Sequence, residues 1–323
     1  MKSCKPHTVW ISTFATLLVL TPGAQAQSYP AKTVRIILPY LGSTEFAGRW
    51  IAAKLTPALG QQVIVDPRPG AGGKIGHEFA ARSAPDGYTL MLAAPPLVIN
   101  PHLYPRSGQD ALRDFASIAL LGTIPAVLAV HPSVPAKSLR ELVQLARNHP
   151  GKLTYGSGAP GSPSHLAGEL LKSLSKIHIL LVPYKGASFA LIGAMSGEVD
   201  VVIAAASATA PYVQDKRMRA LAILNTTPVN AMPGVPTAAE AGMPQLLIVN
   251  WFVLATPAGT PRAIIDRLNA EVNKVMQTAE TQQQFVALGG DVAVTTPEQA
   301  AAFVRDEYER WGKVIRDANI RVE

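Results

Sequence analysis

The sequence predicts an α/β protein of two lobes, each built on its own sheet, the two sheets joined by two crossover strands. Three observations carry this. Short apolar strands alternate with helical patterns along almost the whole chain, the signature of parallel sheets covered on both faces. The alternation runs once, starts again near Ser138, and returns to long apolar strand after residue 246, so one sheet-building run lies inside the other. Two uncharged stretches, "ASIALLGTIPAVLAV" (116–130) and "LIVNWFVLA" (247–255), stand where the chain must pass between the runs. These set the expected boundaries: residues 27–126 and 248–323 form lobe 1, and 127–247 form lobe 2. Two crossings enclose a cleft, which is where ligands bind in such folds.

The first 26 residues are set apart as a leader. Lys2 and Lys5 precede an eleven-residue apolar run, Trp10 to Leu20, and Ala24-Gln25-Ala26 is a small-x-small cleavage site. That pattern reads as a secretory signal peptide cleaved near Ala26. The run is shorter than the roughly 20 residues that span a bilayer. The single cysteine, Cys4, lies inside the leader. The mature chain is therefore free of disulfides and held by an ordinary core. It is expected to be soluble and exported to a bacterial periplasm.

"TVRIIL" is the first strand, followed by a helix with Ile51, Leu55 and Leu59 in phase. "QVIVD" is the second strand, and a helix covers Ile75 to Arg82. Ala84 to Gly87 is a turn, and "YTLMLAA" is the third strand. Ser138 to Glu141 is a capping box that opens the helix "LRELVQLARNH". "KLTYG", a helix from Ser164 to Leu174, "IHILLVPY", a helix from Ala187 to Ser196, "VDVVIAAA" and "MRALAIL" build the second sheet. Thr237 to Glu240 caps one short helical turn. Thr260-Pro261 starts a helix with Ile265, Leu268, Val272 and Val275 in phase. Thr296 to Gln299 caps the last, with Val304, Tyr308, Trp311 and Ile315 in one stripe.

Gly156, Gly158 and Gly161 spell a literal G-x-G-x-x-G between strand and helix. A dinucleotide site needs an acid about twenty residues further on. Val182 to Gly186 supplies none, and Pro160 and Pro163 remove backbone donors. No nicotinamide or other cofactor is implied. What survives is an anion cradle: glycines admit close approach to N–H groups, and a helix N-terminus follows. A carboxylate suits it as well as a phosphate. The loops "PYLGSTEF" (39–46), "AAPPLVINP", "VPYKGAS" and "VIAAASAT" also follow strands and would face the same cleft. "RPGAGG" (68–73) is expected to be a structural turn.

Other functions find little footing. The formal charge is +7, and losing Lys2 and Lys5 leaves +5, a weak preference for anions. Aromatics make up 6% and are not interleaved with basic runs, so nucleic acid is not an expected partner. The histidines are isolated, with no H-x-x-x-H and no cysteine pair to hold a metal. Ser157, Ser162 and Ser164 lie near His165 and Glu169, which raises a hydrolase. However, G-x-S-x-G is absent, and Ser164 is expected to cap its helix.

Taken in order, "RPGAGG", "APDGYTL", "INPHLY", "VHPSVPAKSLRELV", "PGKLTYGS", "SHLAGEL", "VPYKG", "GEVD", "PGVPTAAEAG" and "PAGTP" resemble one family. It is that of the solute receptors of tripartite tricarboxylate transporters, the Bug or TctC type. The resemblance runs from Tyr29-Pro30 to Trp311-Gly312. It implies a two-lobed periplasmic-binding-protein fold, type II-like, that closes on a small carboxylated solute. The implied partners are integral membrane transporter subunits, or a sensor kinase ectodomain. Backbone groups and ordered water would hold the carboxylate. Carried over, the binding residues are Tyr40, Leu41, Gly42, Ser43 and Thr44 in the first loop. In the glycine loop they are Ser157, Gly158, Ala159, Gly161, Ser162 and His165. Tyr184, Lys185, Pro95 and Ala204 complete the set. Three departures stand out. The first loop is shorter than the family's, with Glu45 in the place of an Asp. Pro95-Pro96 follows the third strand. Ala204 stands where the family usually has Asp.

Overall fold

The computed structural model describes residues 29–41, 43–108, 110–158, 161–287 and 289–321. The expected leader lies outside them. The first sheet is opened by β1 (Val34–Leu38), β2 (Val63–Pro67) and β3 (Thr89–Ala93), with α1 (Ser43–Leu59) and α2 (Lys74–Ala81) between them. β1 lies parallel to both neighbours, Ile36 opposite Val65 on one side and Leu90 on the other. Ile36 and Leu38 pack toward Ile51 and Leu55 of α1, while Ile37 joins Met91 in a second cluster. Both faces are buried, which is why the strand reads as an unbroken apolar run.

α3 (Pro96–Leu103) follows β3, and the long β4 (Phe115–Val130) comes next. The second lobe runs α4 (Leu139–Asn148), β5 (Thr154–Ser157), α5 (Pro163–Ser175), β6 (Leu180–Pro183), α6 (Ala187–Ser196), β7 (Val201–Ala205), α7 (Ala206–Gln214) and β8 (Arg219–Ile223). The chain returns through β9 (Val249–Pro257), α8 (Arg262–Met276), α9 (Ala279–Ala287), β10 (Asp291–Val292) and α10 (Pro297–Asp317). The fold is two-lobed and mixed α/β, with a curled sheet.

β4 belongs to both sheets. From Phe115 to Pro125 it pairs antiparallel with β9. From Ala126 to Val130 it pairs with β7, and from Val127 to Val130 with β8. The two sheets therefore form one hydrogen-bonded path, β2-β1-β3-β9-β4-β7-β5-β6. The return crossing is not a second shared strand. It is the segment just before β9, where Ile248 accepts from the amide of Ala126 and donates to the carbonyl of Leu224. Register shifts at Ser117/Ala119 and Leu120/Gly122 bend β4 ahead of this point. At Gly122 a Cβ would lie 2.4 Å from the Asp291 carbonyl oxygen, so β10 can pair there only because the position is glycine.

Two helices were hidden by their prolines. "PPLVINP" reads as a loop, yet it folds as α3 because Pro96 sits at the first helical position and Leu97, Val98 and Ile99 are buried. "ASATAPYVQ" folds as α7 around Pro211. Thr237 to Glu240 is a turn instead of a helix. The Glu240 carboxylate accepts from the Thr237 amide and hydroxyl at 2.8 and 2.9 Å. Among the described residues no helix is long and apolar enough to cross a membrane.

Candidate functional site

The first loop leaves β1 at Leu38 and enters α1 at Ser43. Its Tyr40 hydroxyl lies 2.6 Å from His77 Nε2, with the two rings edge to face at 5.5 Å. His77 sits on α2 and is only 2% exposed. Burial holds the Tyr40 phenol well above its ordinary pKa, so it stays protonated. The "RPGAGG" turn proves to be the bed on which this ring lies. Gly73 has φ 94°, and a Cβ there would fall 2.2 Å from Tyr40 Cε1. The same turn is tied to α3, whose buried Asn100 donates from Nδ2 to the Gly72 carbonyl at 2.6 Å.

The glycine loop of lobe 2 meets these groups from the other side. A Cβ at Gly161 would lie 3.1 Å from Leu103 Cδ1 and 3.4 Å from Asn100 Oδ1. Gly161 has φ 80°, a backbone region that glycine enters freely. The two lobes therefore meet where the glycine loop rests on α3.

Inside that loop the hydrogen bonds are closed locally. The Ser157 hydroxyl, fully buried, donates to the Gly158 carbonyl at 2.8 Å. The Gly158 amide donates to Ser164 Oγ at 2.9 Å, and the Gly161 amide to His165 Nδ1 at 3.2 Å. Ser162, not Ser164, caps α5: its Oγ accepts from the His165 amide, and Pro163 fills the first helical position. Burial lowers the His165 pKa; Glu169 opposes that shift and Lys172 adds to it. The imidazole stays neutral and its Nδ1 accepts from Gly161. Glu169 is itself engaged by the Tyr155 hydroxyl and Lys172. Among the described residues no serine hydroxyl of this loop bonds the His165 ring, so a nucleophile–base pair is not assembled.

The remaining expected residues are placed as follows. Thr44 is buried in the first turn of α1, and Leu41 is exposed. Gly42 and Ala159 lie outside the described residues, as does the Ser43 side chain. Pro95 is buried and precedes α3, its carbonyl accepting from the Val98 and Ile99 amides at 3.1 Å. Ala204 is buried at the end of β7, opposite Val127. Lys185 is exposed. Tyr184 gives its amide to Ser157 at 2.9 Å. Its ring packs on Gly156 and Gly193, and the hydroxyl pKa is raised by burial and by Glu198. Tyr184 thus belongs to the packing of lobe 2. Glu45, in the Asp place, is held by Arg49 at 2.8 Å on its own helix.

Sequence reasoning missed His77 and Asn100. "INPHLY" carried Asn100 only as part of a pattern, and nothing local marks His77 as the partner of Tyr40. Among the described residues no group of three His, Cys, Asp or Glu could hold a metal ion.

The profile of the family described as "Tripartite tricarboxylate transporter family receptor" matches residues 47–320. BugT of Bordetella pertussis is 34% identical over 313 residues, covering 96% of each chain. A solved R. palustris protein with adipate is 31% identical, covering 91% of this chain and 99% of that one, with a TM-score of 0.84. MatC from Rhodopseudomonas palustris, with bound malate, is 29% identical over 89% of this chain and all of that one (100%), with a TM-score of 0.81.

Proposed function

The chain belongs to the tripartite tricarboxylate transporter receptor family, and on that premise we propose that it captures a small carboxylated solute between its lobes. It then delivers the solute to the integral membrane subunits of such a transporter, from the periplasm, after loss of residues 1–26. Lobe 1 is 27–126 with 248–323, and lobe 2 is 127–247. The observation that carries this reading is the meeting of the glycine loop with α3, whose Asn100 also holds the turn beneath Tyr40. The carboxylates bound to the two R. palustris relatives support the ligand class.

The Gly158 and Gly161 amides are occupied inside their loop, so they shape the seat. The donors proposed for a carboxylate are the N-terminal end of α1, the Ser164 amide at the start of α5, the Tyr40 hydroxyl in the tautomer where His77 Nε2 donates to it, and ordered water. Charge-assisted hydrogen bonds contribute about 1.5–3 kcal/mol each, and a helix terminus about 0.3–1. Four such donors reach the roughly 8 kcal/mol of a micromolar complex. Because both lobes contribute, the full set exists only when they are closed. The solute then shifts the population toward closure by its differential affinity.

Titration calorimetry with a panel of carboxylates tests the class, and small-angle scattering tests the mechanism. The radius of gyration should fall at saturation. An unchanged radius with binding confirmed would refute closure, and a panel without a single binder would refute the receptor reading.

A further inference from the structure

Beyond the first turn of α1 an apolar pocket of about 540 Å³ opens. Phe46 and Trp50 of α1, Ile124 of β4, Ala208 of α7, Phe252 of β9 and Phe285 of α9 line it. Both lobes, β4 and β9 thus contribute to one wall. Phe46 and Ala47 lie in the first turn of α1, and Ser207 and Ala208 in the first turn of α7, so the pocket is lined by the starts of the two helices that follow two of the loops expected to face the cleft. Its polar wall groups are Ser207 and Gln284, and Gln284 Oε1 already accepts from Trp50 Nε1 at 2.7 Å.

None of the described residues lining it is charged. Charges close in sequence are already paired with one another: Arg49 with Glu45, and Lys54 with Glu280 at 2.6 Å. A second carboxylate placed here would be desolvated without a cation to meet it, which is strongly unfavourable. An apolar group gains instead. Phe46 is 64% exposed, an apolar ring still open to water. An apolar cavity of roughly 150 Å³ already accepts benzene. This pocket therefore has room for a ring and several further carbons. Trp50 and Phe285, edge to face at 5.9 Å, offer the surface on which aromatic rings pack.

Resting on the receptor reading above, we propose that this pocket receives the body of the solute. The ligand is then a monocarboxylate bearing an aryl or bulky alkyl group, in preference to a compact di- or tricarboxylate. A ring seated here touches α1 and α9 of lobe 1 and α7 of lobe 2 together. It therefore favours the closed form independently of the carboxylate.

The test is titration calorimetry on the mature chain with 3-phenylpropionate, adipate and citrate. Wild type is compared with Ala208→Phe, which fills the pocket, and Phe46→Ser, which alters its exposed rim and keeps the fold if Ala208→Phe does not. 3-Phenylpropionate should bind at least tenfold more tightly than adipate or citrate, and lose at least tenfold in either folded variant. Tighter binding of adipate or citrate, or equal 3-phenylpropionate affinity in wild type and variants, overturns the inference and leaves the receptor reading standing. Binding of none of the three overturns the inference together with that reading.

Discussion

Glu307 ties α10 to the crossing, and replacing it should loosen both stability and closure. Its carboxylate is 7% exposed as a residue. Oε2 accepts from Trp251 Nε1 at 3.0 Å, from Trp311 Nε1 at 3.2 Å and from Arg310 Nη2 at 2.9 Å. Oε1 accepts from Arg310 Nε at 2.7 Å. Trp251 faces Thr123 across β4, and Arg310 Nη1 donates to the Leu247 carbonyl at 3.1 Å, just before the return crossing. Glu307→Gln keeps the volume but removes the charge and one acceptor. The amide oxygen can take only one of the two oxygen positions, so its NH2 group must face either the two indoles or Arg310 Nε, a donor without an acceptor that costs about 1–3 kcal/mol. Arg310 loses its carboxylate as well. Breaking a buried ion pair costs about 3–5 kcal/mol, reduced here because the Arg310 side chain is 31% exposed. The combined loss should be about 2–4 kcal/mol. That corresponds to a fall of about 3–6 °C in Tm for a chain of this size. Urea unfolding of wild type, Glu307→Gln, Trp251→Phe and the double variant measures both the loss and the coupling. A Glu307→Gln variant within about 0.5 kcal/mol of wild type, or additive single losses, would refute this account of the crossing.

Three further predictions concern the seat. Gly73→Ala should strain a left-handed position by about 1–2 kcal/mol and push Tyr40 off its bed, weakening carboxylate binding in calorimetry; wild-type affinity in a folded variant would separate Tyr40 from the site. His165 is held neutral by burial, with its pKa lowered in the folded state. Its contribution is thus full above about pH 6.5 and is lost as pH falls through the lowered value. Stability should drop more steeply below that pH in wild type than in His165→Asn, whose side-chain oxygen can still accept from Gly161. His102, lowered in the same direction by burial, is common to both chains, and superimposable pH curves would remove His165 from the effect. Ser164→Ala strands the Gly158 amide at about 1–3 kcal/mol, whereas Ser162→Ala removes a helix cap at about 0.5–2 kcal/mol. Urea melts should rank Ser164→Ala as the costlier change, and the reverse order would contradict the hydrogen bonds assigned here.

Much of the fold was legible because burial writes itself into periodicity. Ile36, Ile37 and Leu38 announce a strand buried on both faces, and Leu268, Val272 and Val275 announce one face of a helix. The Ser138 and Thr296 caps were legible because each lies three residues before its Glu or Gln partner. α3 was not legible, since Pro95, Pro96 and Pro101 signal a loop locally and only tertiary burial of Leu97 to Ile99 overrides them. The α5 cap was misread although Pro163 marks Ser162 as the residue before the first helical position. Tyr40 could be named as a candidate, but not its seat. His77 lies 37 residues away and Asn100 on another helix, and contacts between elements leave no period in a single sequence.

Two of the departures from the family pattern act in one direction. Glu45 is turned to Arg49, Ala204 is packed against β4, and Pro95 serves the start of α3. Glu45 stands at the start of α1 and Ala204 just before α7, and neither leaves an unpaired polar side chain there. The polar groups collect on the α3–α5 side, with Tyr40, His77, Asn100 and the glycine loop. On the proposed reading the cleft is amphipathic, with one end taking the carboxylate and the other the carbon body. Burying a phenyl group contributes about 1.5–3 kcal/mol, as much as one charge-assisted hydrogen bond. In such a cleft the carboxylate sets orientation and the apolar body separates one solute from another. Substitutions at Tyr40 or Gly73 should therefore weaken all carboxylates alike, whereas those at Phe46 or Ala208 should reorder them.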